Sequence, residues 1–478
     1  MKQEYDTVIG LEIHVELSTK SKIFCSCSTE FGKEPNTCIC PVCTGMPGAL
    51  PVLNRQVVEY AIAAGLALNC SIRSRTCFDR KNYFYPDNPQ NYQISQLYLP
   101  ICHDGFLELS SNQEMKRLRI REIHMEEDAG RMIYEKETKG SLIDYNRSGI
   151  PLLEIVTEPD FRSADEVIAF LEKLRILLRY TEVSDCRLQE GSMRVDVNLS
   201  LSDKTSGVPG TRTEMKNLNS FRAIRRAVQN EQERQADLLR MGKSVTQETR
   251  RWDDGKGRSF SMRNKESAQD YRYFPEPDLP PVWISQEEIT GIRESLPEFR
   301  EQKAARFVRQ YQLSEYDADL LTESRTVAAL FEETAVLCHS AKAAANWLTG
   351  ETFRLLRENS MDPEELRFSA VHLAELIRML QSGAVSGPVA KKVFERIFLE
   401  DVDPKSYVRE HHLETVQDTA ALETAAVRVL AENASAAEQY RQGKEKVLGF
   451  LLGQLMRQMK GQADPSSASE ILRRLLKS

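Results

Sequence analysis

The stretch GLEIHVEL, residues 10–17, has the pattern of an amphipathic β-strand. After Gly10 its odd-numbered positions are apolar, and its even-numbered positions are Glu12, His14 and Glu16. Because side chains alternate between the two faces of a strand, both carboxylates and the imidazole point to one face. The pattern predicts either an ordinary solvated face or a metal site.

Other segments repeat this arrangement of an apolar face and an acidic face. EIHVE at 12–16 recurs as EIHME at 122–126, and MRVDVNLSL and RTEMKN are two further alternating segments. The acidic positions in these later segments, and directly after EIHME, are Glu122, Glu126, Glu127, Asp196 and Glu214. Several acidic strand faces together favour an open sheet that binds hard cations such as Mg²⁺, which prefer oxygen ligands. Patterning alone leaves a solvated polar face equally open.

The segment RLRIREIHMEED, residues 117–128, does not keep a single alternation. Leu118 and Ile120 share their parity with His124, whereas Ile123 does not. A β-bulge would restore one apolar face, and the sequence therefore predicts one here. Parity leaves open whether Glu126 or Glu127 faces the metal.

Ten cysteines are present, and five of them cluster in CSC and CICPVC. In a large chain without a secretion signal, one tight cluster is more typical of a metal site than of disulfides. Two short knuckles, Cys25 with Cys27 and Cys40 with Cys43, predict a structural zinc site with four protein ligands. Cys38 could replace Cys40 on spacing alone, and a group of idle thiols is the alternative interpretation.

The segment FDRKNYFYPDNPQNYQISQ, residues 78–96, sets Arg80 and Lys81 among tyrosines and prolines. Such a mixture can stack on a base or sugar and bind phosphates, or it can form a rigid loop packed on the core. No G-x-x-x-x-G-K-[ST], strand-linked G-x-G-x-x-G or G-x-S-x-G motif occurs. These absences exclude P-loop and Rossmann nucleotide sites and the serine-hydrolase elbow.

The 478 residues exceed one compact core, and the net charge of −7 argues against a protein that coats nucleic acid by charge alone. We predict a mixed α+β domain over 1–292, a helical domain over 293–405 and a tail domain over 406–478. The proline-rich stretch 270–281 is predicted to be an extended connector or domain edge. Residues 441–478 carry eight Lys and Arg against three Asp and Glu.

Two helices have clear start signals. Ser163 is predicted to cap one helix, with Glu166 completing a capping box. Asn219 and Ser220 are predicted to begin another, which ends near Gly242. No apolar run approaches the roughly 18 residues of a membrane span, and the N-terminus lacks an apolar signal core. We therefore expect a cytoplasmic protein.

Many long motifs occur in one order that resembles the B-subunit family of the tRNA-dependent glutamyl-tRNA(Gln)/aspartyl-tRNA(Asn) amidotransferases. The motifs are GLEIHVEL, KIFCSC, CPVCTGMPGALPVLN, FDRKNYFYPD, HMEEDAG, NRSGIPLLEIVTEPD, VSDCRLQEGSMRVDVN, EMKNLNSFR, QETRRWD and DYRYFPEPDLPP. The resemblance runs from the first strand through the proline-rich segment. It continues more loosely through NWLTGE and KEKVLGFLLGQLMRQMKGQADP towards the end.

The resemblance implies an α+β fold: a cradle-like, largely antiparallel catalytic domain, likened to the glutamine synthetase and guanidino-kinase fold, followed by all-α helical and tail domains. It implies that ATP phosphorylates the side-chain carboxylate of Glu-tRNA(Gln) or Asp-tRNA(Asn), after which ammonia forms the amide. The implied cofactors are ATP, Mg²⁺ and a structural Zn²⁺. The implied partners are an amidase-type A subunit, a small C subunit and the mischarged tRNA, which the tail domain would bind.

Site residues carry over only where the motifs match. The resemblance implies Mg²⁺ binding by Glu12, His14, Glu126 and Glu127, and catalytic roles for these four with Asp196 and Glu214. It implies that Lys81, and Arg80 beside it, bind the phosphates. It implies zinc binding by Cys25, Cys27, Cys40 and Cys43.

Two rival functions remain for comparison. A non-catalytic zinc-knuckle RNA-binding protein would explain the cysteines and the basic tail, but acidic strand faces repel RNA. A metal-dependent hydrolase could use the same Glu and His segments without ATP.

Overall fold

The computed structural model describes residues 5–111, 114–134, 140–204, 207–264, 270–415, 419–459, 463 and 465–477. The chain divides into two compact units, residues 1–297 and residues 298–478. The first unit is mixed α/β with a large, mostly antiparallel sheet, and the second is helical. This confirms the predicted mixture of an antiparallel-rich sheet and a helical C-terminal region. No described helix is both long enough and apolar enough to cross a membrane.

The strands in the described part of the chain all belong to the first unit. They are β1 Tyr5–Glu16, β2 Ser71–Ile72, β3 Arg75–Thr76, β4 Asp79–Asn82, β5 Tyr92–Ser95, β6 Cys102–Ser111, β7 Glu114–Glu127, β8 Arg131–Tyr134, β9 Ser141–Asp144, β10 Pro151–Thr157, β11 Met193–Asp203, β12 Thr213–Lys216, β13 Glu248–Asp253, β14 Arg258–Asn264, β15 Phe274–Pro275 and β16 Val282–Trp283.

Nine of these strands form the main sheet, in the order β14-β13-β12-β11-β1-β10-β7-β6-β2. All neighbours are antiparallel except β12 and β13. The strand β1, which contains the opening motif, lies at the centre between β11 and β10. Its neighbours therefore present their side chains directly beside those of GLEIHVEL.

The helices of the first unit are α1 Arg55–Ala67, α2 Ala164–Tyr180, α3 Phe221–Arg240 and α4 Gln286–Ser295. The odd-numbered side chains of β1, including Leu11, Ile13 and Val15, are almost fully buried. The helices α1, α2 and α3 pack against strands of this sheet. The even-numbered side chains of β1 lie on the opposite face and are only partly buried.

The predicted bulge in β7 is confirmed. Glu122 lies opposite Val156, but the next pair towards the start of β7 is Ile120 with Thr157, so Arg121 is the extra residue. The bulge restores the apolar alternation, because Leu118, Ile120, Ile123 and Met125 are all buried. It also fixes which later residues of β7 share a face.

The helix starts are confirmed in part. The Ser220 hydroxyl accepts a hydrogen bond from Ala223 N at 3.0 Å, and the Ser163 hydroxyl accepts one from Glu166 N at 3.2 Å. The predicted capping box at α2 is wrong, because Glu166 Oε2 accepts from Arg162 N at 2.7 Å instead. Gly242 has φ +69° just beyond α3, as a residue that ends a helix should.

The second unit is built from helices throughout its described part. They are α5 Arg300–Tyr311, α6 Glu315–Thr322, α7 Arg325–Cys338, α8 Ala341–Asn346, a π-helix Trp347–Thr352, α9 Phe353–Asn359, a 3₁₀ turn Pro363–Glu365, α10 Ala370–Gln381, α11 Gly387–Glu400, α12 Pro404–Glu410, α13 Thr419–Glu432, α14 Ala434–Arg441, α15 Val447–Gln458 and α16 Pro465–Lys477.

This unit has two hydrophobic cores, one built around Phe307, Phe331 and Phe394 and the other around Leu451 and Leu472. The three-domain division at residues 292 and 405 stays a prediction, and the first of the two cores extends past residue 405 to Val408 and Leu413. The proline-rich stretch 270–281 is extended and contributes β15, which pairs with β4.

Candidate active site

The polar face of the central strands collects ionisable side chains in rows. Arg194, His14, Glu154 and His124 lie directly opposite one another on β11, β1, β10 and β7. In the neighbouring row, Glu12 lies opposite Asp196. Directly opposed residues in a sheet point to the same face, so the register concentrates charge on one surface.

A first group of possible metal ligands consists of His14, Glu126 and Glu154. His14 Nε2 lies 3.4 Å from Glu126 Oε1 and 3.9 Å from Glu154 Oε1. Burial and the charge of Glu154 raise the pKa of Glu126 to about 8. Burial and Arg194 lower the pKa of His14 to about 4, so its imidazole is neutral at pH 7 and can bind a cation.

A second group consists of the carboxylates of Glu12, Asp196 and Glu214. Lys216 Nζ lies 2.8 Å from Asp196 Oδ2 and 3.0 Å from Glu214 Oε1. Burial disfavours this ammonium, but the two carboxylates outweigh burial and raise the pKa of Lys216. Asn198 Nδ2 donates to Glu12 Oε1 at 3.0 Å. A cation bound by these three carboxylates would replace Lys216 as their partner.

The donor chemistry of the two groups fits magnesium unequally. The second group offers only carboxylate oxygens, which is the ligand set that Mg²⁺ prefers. The first group combines two carboxylates with an imidazole, a nitrogen ligand more typical of transition metals. A cation would nevertheless stabilise the ionised forms of Glu126 and Glu154 together. Without one, Glu126 is mostly protonated at neutral pH.

Beside these groups, two arginines surround one buried carboxylate. Arg194 Nη2 lies 2.9 Å from Asp128 Oδ1, and Arg147 Nη2 lies 2.8 Å from Asp128 Oδ2. Arg147 also binds Glu16. Burial would raise the pKa of Asp128, but the two guanidiniums outweigh burial and hold it below its usual range. Glu16 thus lies on the face predicted for it, bound to Arg147.

Two cavities open onto this face. One of about 930 Å³ is lined by residues that include His14, Glu126, Asp128 and Arg147. The other, of about 270 Å³, is lined by Glu12, Glu154, Asp196, Glu214, Lys216, Tyr271 and Tyr273, among others. His14 and Lys81 line both cavities. The space is large enough for a small-molecule substrate.

Of the two basic residues predicted to bind phosphates, one faces the cavities and the other is held by carboxylates. Lys81 faces the cavities, with Nζ 5.3 Å from the centre of the Tyr271 ring. Arg80 instead forms two hydrogen bonds with Glu276, of 2.6 and 2.9 Å, and stacks over Tyr92 at 4.1 Å. Arg80 thus ties β4 to the proline-rich segment, and its guanidinium is already occupied by carboxylates.

The structure does not bring Glu127 to either acidic group. Glu127 points to the other face of β7, where its Oε1 accepts from Gln90 Nε2 at 2.7 Å and from Ile94 N at 3.0 Å. Burial raises its pKa to about 8. Of the two residues that parity left open, Glu126 is therefore the one that faces His14.

The cysteine cluster forms a separate group. The Sγ atoms of Cys25, Cys27, Cys40 and Cys43 lie within 4.8 Å of one another. Cys40 Sγ and Cys43 Sγ are 3.9 Å apart, close to the roughly 3.8 Å expected for two thiolates on one tetrahedral zinc. The hydrogen bond with Cys25 lowers the pKa of Cys43 to about 5. Cys38 lies outside this group, so the arrangement fits zinc with Cys40 as ligand.

Sequence reasoning missed Glu154, Asp128 and Arg147 as members of the site. Glu154 is the only ionisable residue of PLLEIVT, and an isolated carboxylate in an apolar strand was an available signal. Arg147 and Asp128 carry no pattern of their own, because a loop and a strand end bring them together.

Two family models match the chain. One, described as the GatB/GatE catalytic domain, matches residues 7–290, and the other, described as the GatB domain, matches residues 329–476. The first match contains both acidic groups and the cysteine cluster.

Curated relatives resemble the chain over nearly its whole length. A protein of Agathobacter rectalis is 56% identical over 474 residues, which cover 99% of this chain and 100% of the relative. Proteins of Lachnoclostridium phytofermentans and Caldicellulosiruptor bescii are 54% and 53% identical, each over at least 98% of both chains. All three are named as the B subunit of an aspartyl/glutamyl-tRNA(Asn/Gln) amidotransferase.

Proposed function

This chain belongs to the GatB family of amidotransferase B subunits, and from that membership we propose that it activates and amidates the side-chain carboxylate of Glu-tRNA(Gln), Asp-tRNA(Asn) or both. Activation consumes ATP, and the products are Gln-tRNA(Gln) and Asn-tRNA(Asn) for translation. The rival interpretation as a non-catalytic RNA-binding protein finds no support in the relatives. The observation that carries the proposal is the pair of acidic groups joined by His14 and Lys81 at two cavities.

The sheet supports a cradle-like catalytic fold of the glutamine synthetase and guanidino-kinase type. A cradle requires one sheet face covered by helices and one face open to substrates, and β1 has one buried and one half-open face. Such a sheet needs no P-loop, because carboxylate-bound cations and a lysine can hold the phosphates instead.

We assign Mg²⁺ to His14, Glu126 and Glu154 and to Glu12, Asp196 and Glu214. When bound, Mg²⁺ neutralises the phosphate charge that builds up during transfer of the γ-phosphoryl group. Lys81 lines both cavities together with the acidic groups, so its ammonium can bind the phosphates there. Arg80 fits a supporting role, since its guanidinium binds Glu276 and Asp278.

The reaction needs two displacements. A carboxylate oxygen of the substrate attacks the γ-phosphorus of ATP, ADP leaves, and an acyl phosphate remains. Ammonia then attacks the acyl carbon, the carbon–oxygen bond to phosphate breaks, and the nitrogen loses a proton as the amide forms. Residues of the sheet orient both reactants, which is the main contribution a protein makes to phosphoryl transfer.

The cysteine cluster is proposed to hold one structural Zn²⁺, since all four ligands come from the protein. Ammonia is proposed to come from an amidase-type A subunit, held to this chain by a small C subunit in a heterotrimer. The helical tail domain, with its surplus of positive charge, is proposed to contact the tRNA backbone. A cytoplasmic location stays a prediction.

The test is ATP hydrolysis by the assembled enzyme that depends on both Mg²⁺ and Glu-tRNA(Gln) or Asp-tRNA(Asn). We expect Glu12→Ala and His14→Ala to abolish this hydrolysis while tRNA binding persists. Unchanged hydrolysis in either variant, or hydrolysis lost only together with tRNA binding, would contradict the assignment of these residues. A pure RNA binder would hydrolyse no ATP, and a metal-dependent hydrolase would turn over without it.

A further inference from the structure

We propose that the zinc knuckles position Arg147 in the active-site cavity, and that residues 143–149, the end of β9 and the loop that follows it, transmit this effect. This loop, named the arginine loop below, contacts the knuckles at one end and the buried carboxylate Asp128 at the other. The proposal rests on the proposed function only in taking this cavity to be the site of the reaction. Its structural part, that the zinc site orders the arginine loop, can be tested without the reaction.

Asn36, in the connection between the two knuckles, holds the start of the arginine loop. Its Nδ2 donates to Ile143 O at 2.9 Å, and its Oδ1 accepts from Tyr145 N at 2.8 Å. Its backbone N donates to Asp144 Oδ1 at 3.0 Å. Asn36 has φ +59°, a conformation that asparagine and glycine tolerate best. Asn36 thus forms hydrogen bonds with three successive residues, 143, 144 and 145.

Further hydrogen bonds come from the zinc-binding segment itself. Cys38 N donates to Asn146 Oδ1 at 2.8 Å, and Ser148 Oγ donates to Cys43 O at 2.8 Å. Cys43 is one of the four zinc ligands proposed above. Because its carbonyl oxygen accepts from Ser148, a change in the position of this ligand is transmitted directly to the loop.

Lys22 connects the same two elements. Its side chain is fully buried, and Nζ donates to Tyr145 O at 3.2 Å. Its backbone N donates to Cys27 O at 3.0 Å, which places Lys22 beside the first knuckle. Four thiolates around Zn²⁺ carry a net charge of −2, and the nearby ammonium of Lys22 offsets part of it. A buried lysine without this anionic cluster would be costly.

The other end of the loop reaches the cavity. Arg147 donates from Nε and Nη2 to Asp128 Oδ2 at 3.2 and 2.8 Å and binds Glu16. Gly149 N donates to Asp128 O at 2.9 Å, and Ile150 O accepts from Asp128 N at 2.8 Å. Asp128 follows Glu126 by two residues at the same strand end. A displaced loop would therefore move Arg147 and Asp128 beside the first acidic group.

The experiment compares amide hydrogen exchange in the assembled enzyme with and without zinc, which a strong thiol-competing chelator removes. We expect exchange over residues 140–150 to accelerate about tenfold or more, since several hydrogen bonds of about 1 kcal/mol each hold the loop. Exchange in the central strand β1 should stay unchanged. No acceleration over 140–150, or an equal acceleration in β1, would overturn the proposal.

A matched pair of variants tests the link without removing the metal. Asn36→Gly keeps the permitted φ but removes both side-chain bonds to the loop, whereas Glu34→Ala removes an exposed side chain and keeps the backbone carbonyl that Asn146 uses. Only Asn36→Gly should accelerate loop exchange, with the zinc content of both variants unchanged. Identical exchange in the two variants would also overturn the proposal.

The link to activity is tested by a double-mutant cycle on the aminoacyl-tRNA-dependent reaction. If Asn36 acts through Arg147, Asn36→Gly should lower kcat/KM in the wild type and have no further effect in an Arg147→Ala background. If the double variant instead shows the product of the two single fold-losses in kcat/KM, Asn36 acts independently of Arg147 and the link is contradicted. A chain with altered loop exchange but no amidation in the wild type would contradict the proposed function while leaving the structural link intact.

Discussion

Glu154 provides the sharpest test of the first acidic group, because the sequence patterns did not single it out. Glu154→Gln keeps the shape of the side chain and an oxygen at its tip but removes the negative charge. The side chain faces His14 and belongs to a group whose ligand atoms lie within 4.8 Å of one another. If this group binds Mg²⁺, the variant loses one of its two carboxylate ligands and keeps Glu126 and the imidazole of His14.

The magnitude depends on pH, because two effects oppose each other. Loss of an outer-shell partner typically weakens metal binding by about 10- to 100-fold, so loss of a direct charged ligand should cost about 100-fold. Against this, the ligand oxygens of Glu126 and Glu154 lie within 4.8 Å of each other, and two unit charges at that limit repel by about 3.5 kcal/mol at an effective dielectric constant of about 20. Removing that repulsion brings the pKa of Glu126 down from about 8 to below neutrality.

The sign follows from the protonation of Glu126. In the wild type its pKa of about 8 means that roughly nine in ten molecules carry a proton at pH 7, which weakens Mg²⁺ binding about tenfold. The variant escapes this competition. We therefore expect Glu154→Gln to weaken Mg²⁺ binding only about tenfold at pH 7, and close to 100-fold at pH 8.5.

The assay is calorimetric titration of the assembled enzyme with Mg²⁺ at both pH values. Glu122→Gln is the matched control, because Glu122 lies on the same sheet face but pairs with His124 at 3.3 Å and belongs to neither acidic group. The control should bind Mg²⁺ like the wild type. Equal binding by Glu154→Gln and wild type at pH 8.5 would refute the reasoning.

Three further outcomes are expected. Lys81→Met should raise KM for ATP or lower kcat without changing the unfolding temperature. Arg80→Met should lower the unfolding temperature, because Arg80 holds the proline-rich segment. A loss of stability in Lys81→Met together with a purely kinetic defect in Arg80→Met would contradict these roles. Metal analysis should find about one zinc per chain in the wild type and in Cys38→Ser but little in Cys40→Ser, and zinc retained by Cys40→Ser would contradict the ligand set. The pKa of Glu127 is raised to about 8, so the folded chain binds an extra proton between pH 4.5 and 8 and the free energy of unfolding falls as pH rises through this range. Glu127→Gln should remove about 2 kcal/mol of that fall between pH 6 and 8, as measured by urea unfolding. The same pH dependence of unfolding in the variant and the wild type would contradict the raised pKa.

The sequence predicted the central strand and the bulge because these depend on local alternation, whereas the roles of the site residues were inferred from the family resemblance and stay predictions. Period-two patterning placed Glu12, His14 and Asp196 on one face, and the parity conflict at Ile123 located the bulge. The structure adds the cross-strand register, which no single strand encodes. Only the register shows that Glu154 lies opposite His14.

Other features could not be predicted because they depend on contacts between distant segments. The capping box at α2 failed because Glu166 Oε2 accepts from Lys116 Nζ on β7, as well as from the nearby Arg162 N. Arg80 was expected at the phosphates, but Glu276, far along the chain, binds its guanidinium. The contacts of Arg147 with Asp128 likewise depend on a loop that hydrogen-bonds to Asn36, more than 100 residues earlier in the chain.

The central claim, that this chain forms an acyl phosphate, is tested most directly by oxygen transfer. Glu-tRNA(Gln) labelled with ¹⁸O in both side-chain carboxylate oxygens is incubated with the assembled enzyme, ATP, Mg²⁺ and glutamine, and the phosphate produced is examined by mass spectrometry. The mechanism predicts one ¹⁸O atom in phosphate for each amide formed, because the carboxylate oxygen leaves with phosphorus. Unlabelled phosphate accompanying amide formation would contradict it.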